Sequence, residues 1–119
     1  MTRREVCFLL DGEGRVLWSD EGSAAALPDS RARWEAIWAL REELAEVAHS
    51  HPEGPLGFSE VDRTTMAALE RALGRALRYS VVAPEGTIRC LGAEGEAARV
   101  RPEPPWAAAL RERSGLPSR

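Results

Sequence analysis

Val47-Ala48-His49-Ser50-His51-Pro52 is the stretch of this 119-residue sequence that decides the predicted fold. Apolar and polar residues mix over its first five positions, and Pro52 suits neither a strand nor a helix, so we expect a short strand that stops here. Side chains at positions i and i+2 of a strand project from the same face. His49 and His51 would therefore stand side by side, while Ser50 would point to the opposite face and have a structural role.

A loop and then a helix are predicted on the carboxyl-terminal side of this strand. Two prolines and two glycines lie within residues 52–58, and they exclude a regular element there. The helix should begin at Ser59 and run to about Leu77. Its predicted buried side consists of Val61, Leu69, Leu73 and Leu77.

Two β-hairpins are predicted from short apolar segments that flank glycine-containing turns. The first joins residues 4–10 to residues 15–19 through the turn 11–14, because glycines supply the positive φ that tight connections need. The second joins residues 79–83 to residues 87–91. Each hairpin would contribute two neighbouring antiparallel strands.

Two more helices complete the prediction. The first should start at Pro28-Asp29-Ser30 and dock one face on the sheet. That face consists of Trp34, Ile37, Trp38 and Leu44. The second should be short, from residue 106 to about residue 113, and residues 114–119 are expected to form a loose, disordered tail. All four tryptophans are predicted core residues.

The order hairpin, helix, strand, helix, hairpin, short helix predicts the fold class. It is α/β or α+β, with a central mixed β-sheet and flanking helices. The length predicts one domain over residues 1–119. Apolar residues make up 44% of the chain and charged residues 29%, which excludes disordered and fibrous classes.

Charge and hydropathy exclude further classes. The net charge is −3, and arginines alternate with glutamates over residues 31–46 and 70–78, which predicts solvated helix surfaces instead of a nucleic-acid-binding stripe. No apolar run reaches signal-peptide length or the roughly 18 residues of a transmembrane span. We therefore expect a cytoplasmic protein that binds neither nucleic acid nor a membrane, with Cys7 and Cys90 as buried thiols.

His49, His51 and Asp62 form a candidate metal site. Two neutral imidazoles and one carboxylate are a three-ligand set for zinc, and they leave the fourth tetrahedral position to water. Asp62 lies at the start of the second helix, where the loop 52–58 could bring it back toward the histidines.

Two other interpretations of these residues remain open. The histidines could be an exposed pair near a strand end. Ser59-Glu60-Val61-Asp62 also matches a capping box, which would satisfy backbone donors at the helix start without any function. The ligand and capping roles of Asp62 can coexist, because a capped helix start is rigid.

The joint spacing of these residues resembles the signature of the JAB/MPN metalloproteases, also called the JAMM family. His49-Ser50-His51-Pro52 is followed after six residues by Ser59 and after two more by Asp62. The resemblance covers roughly residues 5–92 and implies a small prokaryotic-type member with the family's cytidine-deaminase-like architecture. It further implies one Zn²⁺ held by His49, His51 and Asp62, with Ser59 facing the oxyanion of the reaction.

The family also uses a glutamate at the start of an upstream strand. Glu5-Val6-Cys7-Phe8-Leu9-Leu10-Asp11-Gly12 resembles that element, although Phe8 stands where the family usually has glycine. The resemblance implies that Glu5 is the acid/base that moves the proton of the attacking water. Glu13 and Glu21 are the competing candidates for this role.

The family resemblance predicts a zinc-dependent peptidase or isopeptidase. The substrate would be a protein or peptide, with the C-terminal tail of a ubiquitin-like or sulfur-carrier protein as the favoured case. The first alternative is an inactive family member that serves as a scaffold or interaction module. The second is a DNA-associated role like that of the RadC-type branch, against which the acidic charge balance argues.

Overall fold

Six strands and three helices make up the computed structural model, which describes residues 3–23 and 30–119. The strands are β1 (Val6–Leu10), β2 (Val16–Glu21), β3 (Glu46–Ser50), β4 (Arg78–Ala83), β5 (Gly86–Leu91) and β6 (Ala98–Arg99). The helices are α1 (Arg31–Ala39), α2 (Glu60–Leu73) and α3 (Trp106–Ser114). None of these helices is long and apolar enough to cross a membrane.

The strands form one mixed sheet in the order β2-β1-β3-β4-β5-β6. The only parallel neighbours in this sheet of the described residues are β3 and β4. Parallel neighbours need a long crossover, and α2 supplies it. The two predicted hairpins are confirmed as β1–β2 and β4–β5, so the expected α+β class with a mixed sheet and helices is confirmed as well.

The first hairpin turn is organised by Asp11. Its Oδ1 accepts hydrogen bonds from the amides of Glu13 and Arg15, each 2.9 Å long. Gly14 follows with a φ of 83°, which a residue with a Cβ rarely adopts. The turn therefore closes at the aspartate and glycine of the sequence 11–14.

The sheet has a buried cluster on each face, because successive strand residues point to opposite sides. One cluster lies under α1 and α2 and includes Cys7, Leu9, Ile37, Met66, Leu69 and Tyr79. The other lies under α3 and includes Val6, Phe8, Leu10, Ala48, Val82 and Leu110. Both thiols, Cys7 and Cys90, are buried and free.

The predicted first helix is correct at its start and wrong at its end. Ser30 caps α1 by accepting a 3.1 Å hydrogen bond from the Arg33 amide, whereas Pro28 and Asp29 lie outside the described residues. The helix stops at Ala39, and Leu44 is buried from a turn beyond it. The side chain of Trp38, expected in the core, is 55% exposed.

The predicted second helix is four residues too long. Gly74 ends α2 in the left-handed conformation, with a φ of 73°. Leu77 is buried, but from the segment before β4. Val61, assigned to the buried side, lies in the first turn of α2 and is 75% exposed.

The prediction of a disordered tail over residues 114–119 is also wrong for its first residues. Ser114 belongs to α3 and is fully buried, and Leu116 packs in the α3-side cluster with 6% exposure. Leu116 is fixed because its amide donates a 2.8 Å hydrogen bond to the Arg111 carbonyl. The helix end thereby turns back onto the sheet.

Glu46 requires a further correction, since the charge pattern of residues 31–46 predicted a solvated surface. It opens β3, and its side chain is 1% exposed. Its carboxylate pairs with Arg78 at 3.0 Å and with Arg89 at 3.2 Å, and it also accepts a hydrogen bond from Ser80. Two guanidinium groups thus compensate a carboxylate that has no access to water.

Replacing Arg78 and Arg89 together by methionine should lower the free energy of unfolding by about 3 kcal/mol, because Glu46 would keep a buried, unpaired carboxylate. Urea denaturation measures this loss. Arg71→Met, which removes an exposed guanidinium from α2, is the control and should change stability by less than about 0.5 kcal/mol. Equal effects of the two changes would contradict the role assigned to this cluster.

Candidate metal centre

His49 and His51 lie at the carboxyl end of β3, His49 within the strand and His51 one residue beyond it. The two Nε2 atoms are 3.0 Å apart, and the rings meet edge to face with centroids 4.7 Å apart. His51 keeps the strand direction because its amide donates a 2.9 Å hydrogen bond to the Val82 carbonyl. The structure thus places both imidazoles on the side of the sheet that carries α1 and α2.

Asp62 reaches the histidines from the first turn of α2. Its Oδ1 lies 3.3 Å from His49 Nε2, and its Oδ2 lies 3.4 Å from His51 Nε2. The predicted capping box is present: the Ser59 amide donates to Asp62 Oδ2 at 2.8 Å, and the Asp62 amide donates to Ser59 Oγ at 3.0 Å. The cap therefore holds the carboxylate in place against the imidazoles.

These separations fit a tetrahedral zinc site. Zinc bonds to nitrogen and oxygen of about 2.0–2.2 Å put neighbouring ligand atoms about 3.3 Å apart. One ligand atom from each of His49, His51 and Asp62 can be chosen so that all lie within 4.8 Å of one another. The three side chains are 15%, 11% and 19% exposed, so they border a cleft without being closed off from it.

The tautomer of His51 supports the same fit. Its Nδ1 lies 3.0 Å from the Pro55 carbonyl oxygen, which can only accept a hydrogen bond, so Nδ1 carries the proton of the neutral ring. The lone pair of Nε2 then points at His49 and Asp62. Metal-ligating histidines commonly donate their second ring N–H to such a carbonyl. Several lone pairs therefore point at the same place. A metal cation can bind all of them, whereas a single proton shared by the imidazoles can bind only two.

The charges of the cluster are strongly coupled. Burial raises the pKa of Asp62, but hydrogen bonds and positive charge from the two histidines outweigh it and hold the pKa well below its usual range. Burial lowers the pKa of His51, whereas its hydrogen bonds to Asp62 and the Pro55 carbonyl outweigh that effect and raise the pKa. The lowered pKa favours the ionised form of Asp62, which is the form that a metal ligand must have.

Glu5 lies on the same cleft, just before β1. In this antiparallel register Cys7 pairs with His49. Glu5 lies two residues before Cys7 and His51 lies two residues after His49, so Glu5 comes opposite His51. Its backbone is fixed by hydrogen bonds of 2.8 Å to Ser23 and Gly22 at the end of β2. Burial raises the pKa of Glu5, and the neighbouring histidines oppose that rise. The structure thus brings this carboxyl to the histidines.

The competing glutamates lie elsewhere. Glu13 is exposed in the first hairpin turn, and Glu21 is exposed and paired with Arg4 at 3.2 Å. Neither borders the cleft, whose acidic lining residues within the described chain are Glu5 and Asp62.

Phe8 and Ser50 belong to the other face of the sheet. Phe8, which replaces the glycine of the family pattern, is 2% exposed in the α3-side cluster and does not reach the cleft. Ser50 Oγ accepts a 2.9 Å hydrogen bond from the Val6 amide and lies 2.7 Å from Ser114 Oγ. Ser50 therefore ties β3 to β1 and α3, which is a structural role.

The cleft itself was not predicted from the sequence. It has a volume of about 620 Å³ and runs between α1 and α2 over the strands. Its walls are largely apolar and include Trp34, Ile37, Phe58 and Val61. These residues matched the pattern of helix faces packed on a core, and periodicity does not distinguish such a face from the wall of a cleft.

No protein-family model matches the chain, and no curated protein matches it. The likeness to the JAB/MPN family is therefore the resemblance in residue spacing given above.

Zinc should raise the melting temperature of the protein, and more strongly near pH 8 than near pH 6, because protons compete with the metal for His51. The pKa of His51 lies above its ordinary value of 6.5, so this competition extends toward neutral pH. Without a metal the pH dependence is opposite. The raised pKa of His51 stabilises the folded state at low pH, and this stabilisation is lost as the pH rises through the pKa of the folded state. Thermal unfolding with and without zinc measures both effects.

The control is the double variant His49→Ala, His51→Ala, which removes both histidines of the chain. It should bind no stoichiometric zinc by metal analysis and show no zinc-dependent change in melting temperature. Equal zinc contents in the variant and the unchanged protein would exclude this metal centre.

Proposed function

We propose that this protein is a zinc-dependent peptidase or isopeptidase of the JAB/MPN type. The observation that carries the proposal is the convergence of His49, His51 and Asp62 on one point of an open cleft, with Glu5 on the same wall. Three protein ligands with one open coordination position are typical of catalytic zinc sites, whereas structural sites have four. Glu5 lies just before β1, the histidines lie at the end of the paired strand β3, and Asp62 lies on α2. This arrangement supports the family's architecture for this sheet.

A zinc ion at this site would supply Lewis acidity and lower the pKa of water from about 15.7 to about 7. The chain's own contribution begins with Asp62 and the two histidines, which orient the site. Glu5 then accepts a proton from water that enters the cleft and returns it to the leaving amine. Its raised pKa suits both steps, because an ordinary carboxyl group holds a proton too weakly near neutral pH.

Ser59 can act as cap and as donor at once. Its Oγ accepts the Asp62 amide hydrogen, and a hydroxyl oxygen that accepts one bond still has its own O–H to donate. Ser59 also borders the cleft. We assign this O–H to the carbonyl oxygen of the scissile bond, where negative charge develops during attack.

The cleft favours an extended peptide as the substrate. A volume of about 620 Å³ accommodates a few residues of chain but no folded domain. Its apolar walls between α1 and α2 offer contacts for side chains on either side of the scissile bond. The C-terminal tail of a ubiquitin-like or sulfur-carrier protein is the substrate that we propose to test first.

Glu5→Gln should reduce the hydrolysis rate at least about 100-fold without loss of zinc, because the amide cannot accept the proton. Cleavage of carrier-protein fusions, with and without chelator, measures the rate, and metal analysis measures the zinc. Glu13→Gln is the matched control and should retain full activity. Undiminished cleavage by Glu5→Gln would contradict its role, and zinc-loaded protein that cleaves none of the fusions would favour the scaffold alternative.

Ser59→Ala and Ser59→Gly separate the two roles of this hydroxyl. Alanine at a helix cap costs about 1 kcal/mol of stability, whereas glycine costs only a few tenths. Loss of an oxyanion donor lowers kcat about 100-fold or more in either variant. The prediction is therefore equal activity loss with unequal stability loss, measured by cleavage assays and urea denaturation. Full activity in the glycine variant would restrict Ser59 to capping.

A further inference from the structure

A second cavity, of about 530 Å³, lies between the β4–β5 turn, the segment 99–105 and α3. It shares no lining residue with the cleft of the histidines. Neither its position nor its composition contributes to the proposed hydrolysis. Its lining is instead distinguished by charge.

Four arginine side chains line this cavity, and Glu103 is its one acidic lining residue within the described chain. The arginines are Arg99, Arg101, Arg111 and Arg119. The side-chain charge of the lining is therefore +3, whereas the whole chain carries −3. Such a local excess of positive charge is unfavourable unless solvent or an anion compensates it.

The carboxylate of Glu103 already has hydrogen-bond partners on both oxygens. Glu103 Oε1 accepts a 2.9 Å hydrogen bond from Arg111 Nε, and Oε2 accepts bonds from Arg111 Nη2 at 2.6 Å and from Thr87 Oγ1 at 2.7 Å. Both oxygens are thus used, and Glu103 forms its ion pair with Arg111 and none with the other arginines of the cavity.

The remaining arginines bind only neutral groups or none. Arg119 donates to the Pro84 carbonyl at 3.1 Å, and Arg99 donates to the Glu85 carbonyl of the same turn. Within residues 3–23 and 30–119, no carboxylate oxygen lies within 4.0 Å of a guanidinium nitrogen of Arg99, Arg101 or Arg119. The β4–β5 turn thus anchors the side chains of Arg99 and Arg119, and Arg101 lines the same cavity.

Arg111 is the buried arginine of the cavity lining. Its side chain is 2% exposed and is anchored by Glu103 and by a 2.9 Å bond from Nη2 to the Ala83 carbonyl. Its Nη1 is buried and has no hydrogen-bond partner among the described residues. A buried donor without an acceptor costs about 1–3 kcal/mol, more when it is charged. The Glu103 carboxylate and the Ala83 carbonyl thus fix this guanidinium group at the wall of the cavity, where its charge adds to that of the other arginines.

We propose that this cavity binds the diphosphate or triphosphate group of a small molecule. Guanidinium groups bind phosphate oxygens through paired N–H donors, and the +3 charge of the lining suits a ligand with two to three negative charges. The volume is within the usual range of small-molecule sites. The inference is independent of the proposed hydrolase function.

Titration calorimetry with inorganic pyrophosphate and with ADP tests this site. Binding is expected at or below about 1 mM, with affinity that falls as salt is added. In Arg99→Gln, Arg101→Gln the affinity should fall at least about tenfold for each ligand. The control Arg71→Gln removes one exposed positive charge on α2, and it should leave the affinity unchanged. The tighter of the two ligands then identifies free or esterified phosphate as the source.

Two further arms can overturn the proposal. The variant His49→Ala, His51→Ala must bind pyrophosphate as the unchanged protein does, because pyrophosphate also binds zinc; loss of binding there would assign the ligand to the metal centre. Citrate, which presents carboxylates of similar total charge, must bind at least about tenfold more weakly. Equal citrate binding, equal binding by the double arginine variant, or no binding at all would contradict the site.

Discussion

Cys7 of β1 faces His49 of β3 across an antiparallel pair of strands, and the geometry of the candidate metal centre depends on this register. A slip by one residue would send every side chain of the strand to the other face. In the observed register His49, His51 and Glu5 face the cleft, whereas Ser50 faces α3. Contacts on the α3 side of the sheet also fix this register, because Ser50 Oγ accepts hydrogen bonds from the Val6 amide and from the Ser114 hydroxyl.

Asp62 shows how the fold stabilises a group of acceptors that repel one another. Its carboxylate satisfies a backbone donor at the helix start, and negative charge is favoured there by the helix dipole. Both contributions remain without a metal, so they help offset the cost of holding a carboxylate against two imidazoles. The capping and ligand interpretations of Ser59-Glu60-Val61-Asp62 are therefore two uses of the same hydrogen bonds.

Local patterns in the sequence predicted strands β1 to β5, both hairpins and the start of each described helix, because alternation, turn residues and caps act over a few positions. The two-residue strand β6 was not predicted. They failed where the partners are distant. Glu46 sits in a run of alternating charges, but its partners Arg78 and Arg89 are 32 and 43 residues away. Val61 and Trp38 match the helical period and are nevertheless exposed, since a period shows which residues share a face and not what covers it.

The two faces of the molecule differ in charge in a way that the net value of −3 conceals. The cleft carries the carboxylates of Glu5 and Asp62. Arg33, the one arginine that lines it within residues 3–23 and 30–119, is paired with Asp20 at 2.8 Å. A divalent cation would bring this cleft close to neutrality, which suits an uncharged peptide bond and gives no attraction for an anionic substrate. At the proposed anion site beside α3, in contrast, Arg99, Arg101 and Arg119 pair with no carboxylate of the described residues, so anions would bind there.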